Sequence, residues 1–271
     1  MKHILLSAMV LCSLSLSAQK LNLKKGHTVT IQTTATQDID MMAMQMKHNS
    51  TTTHILTIED TDKEKISGTS QLSKTKLDME VMGQQQSYDS ENPADKDSEM
   101  GKALADKIGK VVPVTIDKNT GIVTELETET DKSEKAANPM ESVMQSFSGA
   151  DASASNAFYV IPNGKKAGDT WTDSSSNATI KEVKTYTLKG IEDGIATVQL
   201  FSTMSGSSSF EVQGMQMDVS LSAKTEGQML VDVKTSQLKK RSSVMDMTGT
   251  MDIAGQSMPL TSKAIIDVIY K

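Results

Sequence analysis

The stretch Met42-Ala43-Met44-Gln45-Met46-Lys47-His48 has a methionine at every second position. Residues two apart in an extended strand lie on the same face, so this spacing predicts a β-strand with one face lined by thioethers. The alternation recurs later in the chain. We predict that one inward, methionine-lined face of a sheet is formed by Met42, Met44, Met46, Met215, Met217, Met245, Met247 and Met251.

The composition indicates how the core is built and which partners are excluded. Aromatic residues make up 3% of the chain, whereas there are 19 methionines. Because methionine is unbranched and flexible, it fills irregular apolar space that Phe and Tyr would otherwise occupy. The net charge of −6, the absence of a basic cluster and the single arginine, Arg241, argue against nucleic acid as a partner.

Residues 1–18 have the pattern of a secretory signal peptide, with a short basic start, an apolar run and a small-residue end. We expect cleavage after Ala18; cleavage after Ser17 is the alternative, because Leu16 is large for the third position before the cut. Cys12 is the one cysteine, so the mature chain has neither disulfides nor thiolate ligands. No later stretch approaches the ~20 apolar residues of a membrane helix, and we expect a soluble, exported protein.

The mature chain, residues 19–271, is predicted to be one β-rich domain with a helical insert. Residues 24–89 and 158–271 alternate apolar and polar residues, as antiparallel strands with one solvated face do. Residues 90–157 contain helical spacing at 93–108 and 139–147. Between these helices, residues 111–117 and 122–126 are predicted to form a hairpin with Gly121 in the left-handed conformation.

We therefore expect a mainly β (α+β) fold. Its centre is a curved antiparallel sheet or half-barrel, with two or three short helices packed on or across the concave face. Two alternatives stay open at this point. The two strand-rich portions form one sheet or two, and the methionine-lined face is either open or filled by the helices.

Four stretches carry a resemblance to a known family. They are residues 88–93 (YDSENP), residues 115–121 (TIDKNTG), Ile161-Pro162 leading to residues 168–171 (GDTW), and residues 186–196, which include Tyr186-Thr187-Leu188 and the turn Asp193-Gly194. In this order they resemble domain-of-unknown-function family 6263, a family of secreted bacterial proteins. The resemblance implies a periplasmic or secreted envelope protein of a Gram-negative bacterium. It implies no established activity and assigns no functional residues.

The residues give no sign of catalysis. Beyond the signal segment, the histidines are His27, His48 and His54, and the sequence has no zinc-protease helix motif, serine nucleophile elbow or phosphate-binding glycine loop. Neighbouring carboxylates such as Asp169 and Asp173 are typical of caps and solvated loops. We expect a non-enzymatic protein without a cofactor, and an enzyme of unrecognised type is the remaining alternative in that direction.

Met42, Met44, Met46 and His48 also raise the hypothesis of a Cu(I) site, because thioethers and imidazole are soft ligands. Successive members of this set on one strand are ~6.5–7 Å apart, too far to share one ion unless the strand bulges or another strand contributes. The same residues fit an apolar groove for a small molecule or lipid. We therefore expect an envelope protein that binds an apolar ligand, with Cu(I) binding as the alternative.

Overall fold

The structure is a computed structural model and describes residues 21, 23–41, 44–62, 65–126, 157–176, 180–212, 215–253 and 256–271. The predicted signal segment, Met42 and the predicted helix at 139–147 lie outside the described residues. The strands are β1 Thr28–Met41, β2 Met44–Thr61, β3 Lys65–Val81, β4 Gln84–Asp89, β5 Val111–Asp117, β6 Val123–Glu125, β7 Thr170–Ser176, β8 Ile180–Glu192, β9 Ile195–Val212, β10 Met215–Asp232, β11 Leu238–Ile253 and β12 Gln256–Tyr270.

All 12 strands belong to one open antiparallel sheet, in the order β6-β5-β3-β2-β1-β12-β11-β10-β9-β8-β7, with β4 pairing β3 beside β5. The first and last strands meet in the middle, where Ile31 lies opposite Tyr270. This pairing joins the two strand-rich portions into a single sheet. The predicted mainly β, antiparallel fold is confirmed.

Tight turns connect β3 to β4 and β8 to β9. At Met82-Gly83 both residues have positive φ, of 53° and 79°, and at Asp193-Gly194 the values are 49° and 78°. Two-residue loops with positive φ at both positions match the right-handed twist of the strands they join. The turn at Asp193-Gly194, expected from the sequence, is confirmed by the end of β8 and the start of β9.

The two faces of the sheet differ in polarity because the side chains alternate. On β1, Val29 and Ile31 are fully buried, whereas Thr34, Thr36 and Asp38 on the alternate positions are exposed. The same alternation of buried and exposed residues continues along β12. One face of the sheet, called here the inner face, is therefore apolar, and the outer face is largely polar.

The basal end of the sheet is the end at which β1 begins, β12 ends and the β8–β9 and β10–β11 turns lie. Its inner face forms one hydrophobic cluster that draws residues from β5 at one side of the sheet and from β8 at the other. The segment around Phe158 links these sides. Phe158 forms a β-bridge with Gln237, and its Cβ lies 2.9 Å from the position that a Cβ at Gly121 would occupy. Contacts across the inner face thus close the basal end.

Trp171 belongs to this basal cluster as a partly buried residue. Its indole Nε1 donates a hydrogen bond to the Tyr159 hydroxyl at 2.9 Å, and its ring stacks on Tyr186 with centroids 5.7 Å apart. These contacts make Trp171 part of the apolar packing at the basal end.

The hairpin predicted at 111–126 is confirmed by β5 and β6, and Gly121 has a φ of 78°. The prediction of two or three helices packed on the concave face is wrong for the described residues. They contain one α-helix, α1 Glu99–Leu104, and a 3-10 turn at Pro93–Asp95.

The helix is short because two caps divide the segment. The side chain of Asn92 accepts from the backbone of Ala94 and so begins only the 3-10 turn, while Ser98 caps α1 through the N–H of Gly101. Gly109 then donates to the carbonyl of Leu72, which returns the chain to the edge of β3. Gly101 is the one buried residue of α1, so this helix does not supply an apolar cover for the sheet.

Candidate functional site

The distal half of the inner face carries a second apolar cluster, called here the methionine cluster. Its buried members come from β10, β11 and β12, and it contains no residue of α1. They are Met217, Val219, Ala223, Met247, Met251 and Leu260, with the partly buried Ile39, Met41, Met204, Leu221, Met245 and Met258 packed against them.

The strand register explains why these methionines meet. Met247 lies opposite Ala223 of β10 and Ser262 of β12, and Met251 lies opposite Val219 and Met258. Residues opposite each other in an antiparallel pair share a face, with Cβ atoms ~4.5–5.5 Å apart. Methionines that are distant in sequence therefore form one continuous apolar surface across neighbouring strands.

The predicted groove residues are distributed as follows. Met217, Met245, Met247 and Met251 belong to the methionine cluster, and Met46 is partly buried opposite Ile39, a member of that cluster. Met44 and Met215 occupy register positions opposite Met41 and Val212. Whether this surface binds a ligand stays a prediction.

Sequence reasoning missed Met41, Met204 and Met258 as members of the cluster. None of these is part of an alternating methionine run of the predicted set. Their common face follows from the pairing of β1, β9 and β12 with their neighbours, and sequence spacing within one strand gives no signal for that pairing.

Arg241 also lies on the inner face, at the border between the basal cluster and the methionine cluster. It lies opposite Met229 of β10 and Val268 of β12, which are both buried. Thr33 lies opposite Val268 on the other side. Arg241 and Thr33 thus occupy one transverse row of the inner face, two strands or about 10 Å apart.

Both residues have a buried polar atom without a partner. Among the described residues, Thr33 Oγ1 and Arg241 Nε have no hydrogen-bond acceptor or donor within reach. The ion pairs formed within the described ranges do not include Arg241. By contrast, Lys184 on the inner face is compensated by Glu182, with Nζ and Oε2 2.9 Å apart.

The positive charge of Arg241 acts on two buried tyrosines, Tyr186 and Tyr270. Burial raises the pKa of Tyr186 and of Tyr270 to about 12 each, and the positive charge of Arg241 opposes part of both shifts. Their hydroxyl groups are therefore neutral at neutral pH. Burial also lowers the pKa of His48 and His54 on the same face, which favours the neutral imidazole.

The register bears on the Cu(I) alternative as well. His48 is partly buried opposite Met79 of β3, a residue that the sequence analysis did not include, and Met46 is two residues away on the same face. Among the described residues, no group of three or more His, Cys, Asp or Glu side chains is placed to hold a metal ion. A soft site here would depend on thioethers and one imidazole.

A family model described as "Family of unknown function (DUF6263)" matches residues 63–238, about two thirds of the chain. The chain belongs to this family. The predicted family is thereby confirmed. A comparison of the DUF6263 chain with curated protein sequences gives no match.

The DUF6263 chain is similar in fold to a lipovitellin chain, whose structure is described as showing lipid–protein interactions. The TM-score is 0.51, with 10% identity over 92% of this chain. The DUF6263 chain spans 25% of that chain's length. A mutant of Rh. blastica porin also matches, with 8% identity over 89% of this chain and 100% of the other and a TM-score of 0.23. Within the described residues no helix is long and apolar enough to cross a membrane.

Proposed function

We propose that this DUF6263 protein is an exported, non-enzymatic envelope protein that binds an apolar ligand at the methionine cluster. The observation that carries this proposal is the cluster itself. Methionines from β1, β9, β10, β11 and β12 lie on one inner face, and α1 does not cover them. An extended apolar surface of adaptable side chains suits a loosely specified apolar ligand.

The contrast between the two faces supports the same proposal. On β10 and β11, buried or partly buried methionines of the inner face alternate with exposed Asp218, Asp246 and Thr248. A polar outer face keeps the sheet hydrated while the inner face receives the ligand. The lipovitellin chain of similar fold is a protein studied for its lipid interactions, which is the class of ligand that we propose.

The first experiment tests the ligand. We expect native mass spectrometry of protein purified from an envelope fraction to detect a co-purifying lipid, and an apolar fluorescent dye to bind the delipidated protein. A clean mass of the ligand-free protein together with no dye response would contradict apolar-ligand binding.

A matched pair of variants locates the site. Met251→Gln places an amide in the cluster at a side chain that is 9% exposed, and we expect dye affinity to fall about tenfold or more because an unpaired buried amide opposes the apolar contact. Met82→Gln makes the same change at a methionine that is 70% exposed, and its affinity should equal that of the parent. Equal dye affinities of both variants would show that the ligand does not bind at the methionine cluster.

Export is a separate part of the proposal. We expect the protein from the periplasmic or secreted fraction to begin at Gln19, or at Ala18 if cleavage follows Ser17. Amino-terminal sequencing measures this directly. Retention of Met1 in protein from that fraction would contradict removal of a signal peptide.

Cu(I) binding is the second candidate function, favoured by the position of Met79 opposite His48. It predicts that Met46→Leu combined with Met79→Leu weakens Cu(I) binding in competition with a chromogenic chelator. Met204→Leu is the matched control, because it removes a thioether of the inner face on the distant strand β9. Unchanged Cu(I) affinity of the double variant would exclude this site.

A further inference from the structure

Arg241 is the one arginine of the sequence, and the register places it on the inner face among apolar neighbours. Its Nε is buried without a hydrogen-bond partner among the described residues. Leaving a donor of a charged group buried and unpaired is costly. An anion that reaches the inner face would satisfy this group.

Thr33 supplies a second, independent sign of the same kind. Its side chain is 5% exposed, and Oγ1 has no partner among the described residues. Both unpaired atoms belong to one transverse row, with Val268 between the two residues. Arg241 and Thr33 thus flank Val268, close enough for one head group to contact both the long Arg241 side chain and the Thr33 hydroxyl.

The methionine cluster continues from this point toward the distal end. On the inner face of β11, Arg241 is followed by Met245, Met247 and Met251. At about 3.4 Å per residue they lie about 14, 20 and 34 Å along the strand from Arg241. An alkyl chain that starts at Arg241 and runs distally would lie against these thioethers.

We infer that the ligand is a long-chain amphiphile with negatively charged head-group oxygens, which pair with Arg241 and Thr33 while its alkyl chain lies against the methionine cluster. This inference rests on the proposed apolar-ligand function. The guanidinium fork donates paired hydrogen bonds to carboxylate or phosphate oxygens, and the Thr33 hydroxyl donates one more. Lys184, on the inner face three strands away on β8, is paired with Glu182, whereas Arg241 forms no ion pair among the described residues.

The test compares three ligands of equal chain length with the delipidated full chain by titration calorimetry: dodecanoate, dodecyl phosphate and 1-dodecanol. We expect at least one anion to bind about 10- to 150-fold more tightly than the alcohol, as one set of charge-assisted hydrogen bonds implies. The anion that binds more tightly identifies the head group as carboxylate or phosphate. Equal binding of all three would overturn the inference and leave apolar-ligand binding intact, whereas no binding of any would overturn both.

Variants then assign the preference to the residues. In Arg241→Met the advantage of the anions over dodecanol should disappear while dodecanol binding is retained. In Thr33→Val, anion affinity should fall about tenfold. Because valine keeps the side-chain volume of threonine, this variant still tests the inference if Arg241→Met does not fold. Lys240→Met is the matched control, because it removes a cation that is about half exposed on the outer face of the same strand. An anion preference that survives in both Arg241→Met and Thr33→Val would overturn the inference.

Discussion

Thr33→Val should stabilise the ligand-free protein. Thr33 Oγ1 is buried without a hydrogen-bond partner among the described residues, and the side chain is 5% exposed. An unsatisfied buried hydroxyl costs about 1–3 kcal/mol, and valine replaces it with a methyl group of similar size. Valine also favours the extended backbone of β1. We therefore expect the free energy of unfolding to rise by about 1–3 kcal/mol.

Thermal unfolding monitored by circular dichroism measures this change. For a chain of this size, each kcal/mol corresponds to about 2–4 °C in Tm. Thr34→Val is the control, since it makes the same substitution on the next residue of β1, where the side chain is exposed on the outer face. A lower Tm for Thr33→Val than for Thr34→Val would show that the Thr33 hydroxyl has a partner, and it would refute the reasoning for the head-group position.

Two further predictions concern the basal end. Gly121→Ala should destabilise the protein by about 2 kcal/mol or more, because φ is +78° and the new Cβ would lie 2.9 Å from Phe158 Cβ. Gly164→Ala is the control: its φ is +73° but nothing lies within 4 Å, so it should cost about 1 kcal/mol. Equal losses of unfolding free energy in denaturant titrations would contradict the predicted clash with Phe158. Burial raises the pKa of Tyr186 and Tyr270 from 10.0 to about 12, so the unfolded chain loses these protons first and stability should fall as the pH rises from 10 to 12. Tyr186→Phe should make that fall shallower in unfolding measured across this range, and an unchanged slope would contradict the assigned shift.

The sheet was predictable because period-two alternation is a local signal. Each pair of methionines such as Met245 and Met247 fixes a strand and a face without knowledge of the neighbouring strands. The hairpin at 111–126 was predictable for a similar reason, since Gly121 marks its turn. The helices were over-predicted because residues 93–108 repeat apolar residues at helical spacing, but the caps at Asn92 and Ser98 divide the segment into two short pieces.

The candidate site was only partly predictable, because its composition depends on register. Arg241 follows Lys239 and Lys240, and a short stretch of Lys and Arg is typical of a solvated strand end. In the sheet, the alternation puts Lys240 outside and Arg241 inside, and the pairing with β12 and β1 brings Arg241 into one row with Thr33. Local patterns fix which residues share a face within one strand, whereas the juxtaposition of strands that are distant in sequence requires the structure.

The chemistry of the inner face indicates where selectivity would come from. Met247 and Met251 present flexible, polarizable side chains, and such a surface adapts to alkyl chains of different length and branching with little discrimination. Arg241 behaves differently, because a ligand without an anion leaves its buried Nε unpaired, and that loss is large compared with the difference of one methylene. In the inferred binding mode, the head group determines which ligands bind, and the methionines accept alkyl chains of different length and branching.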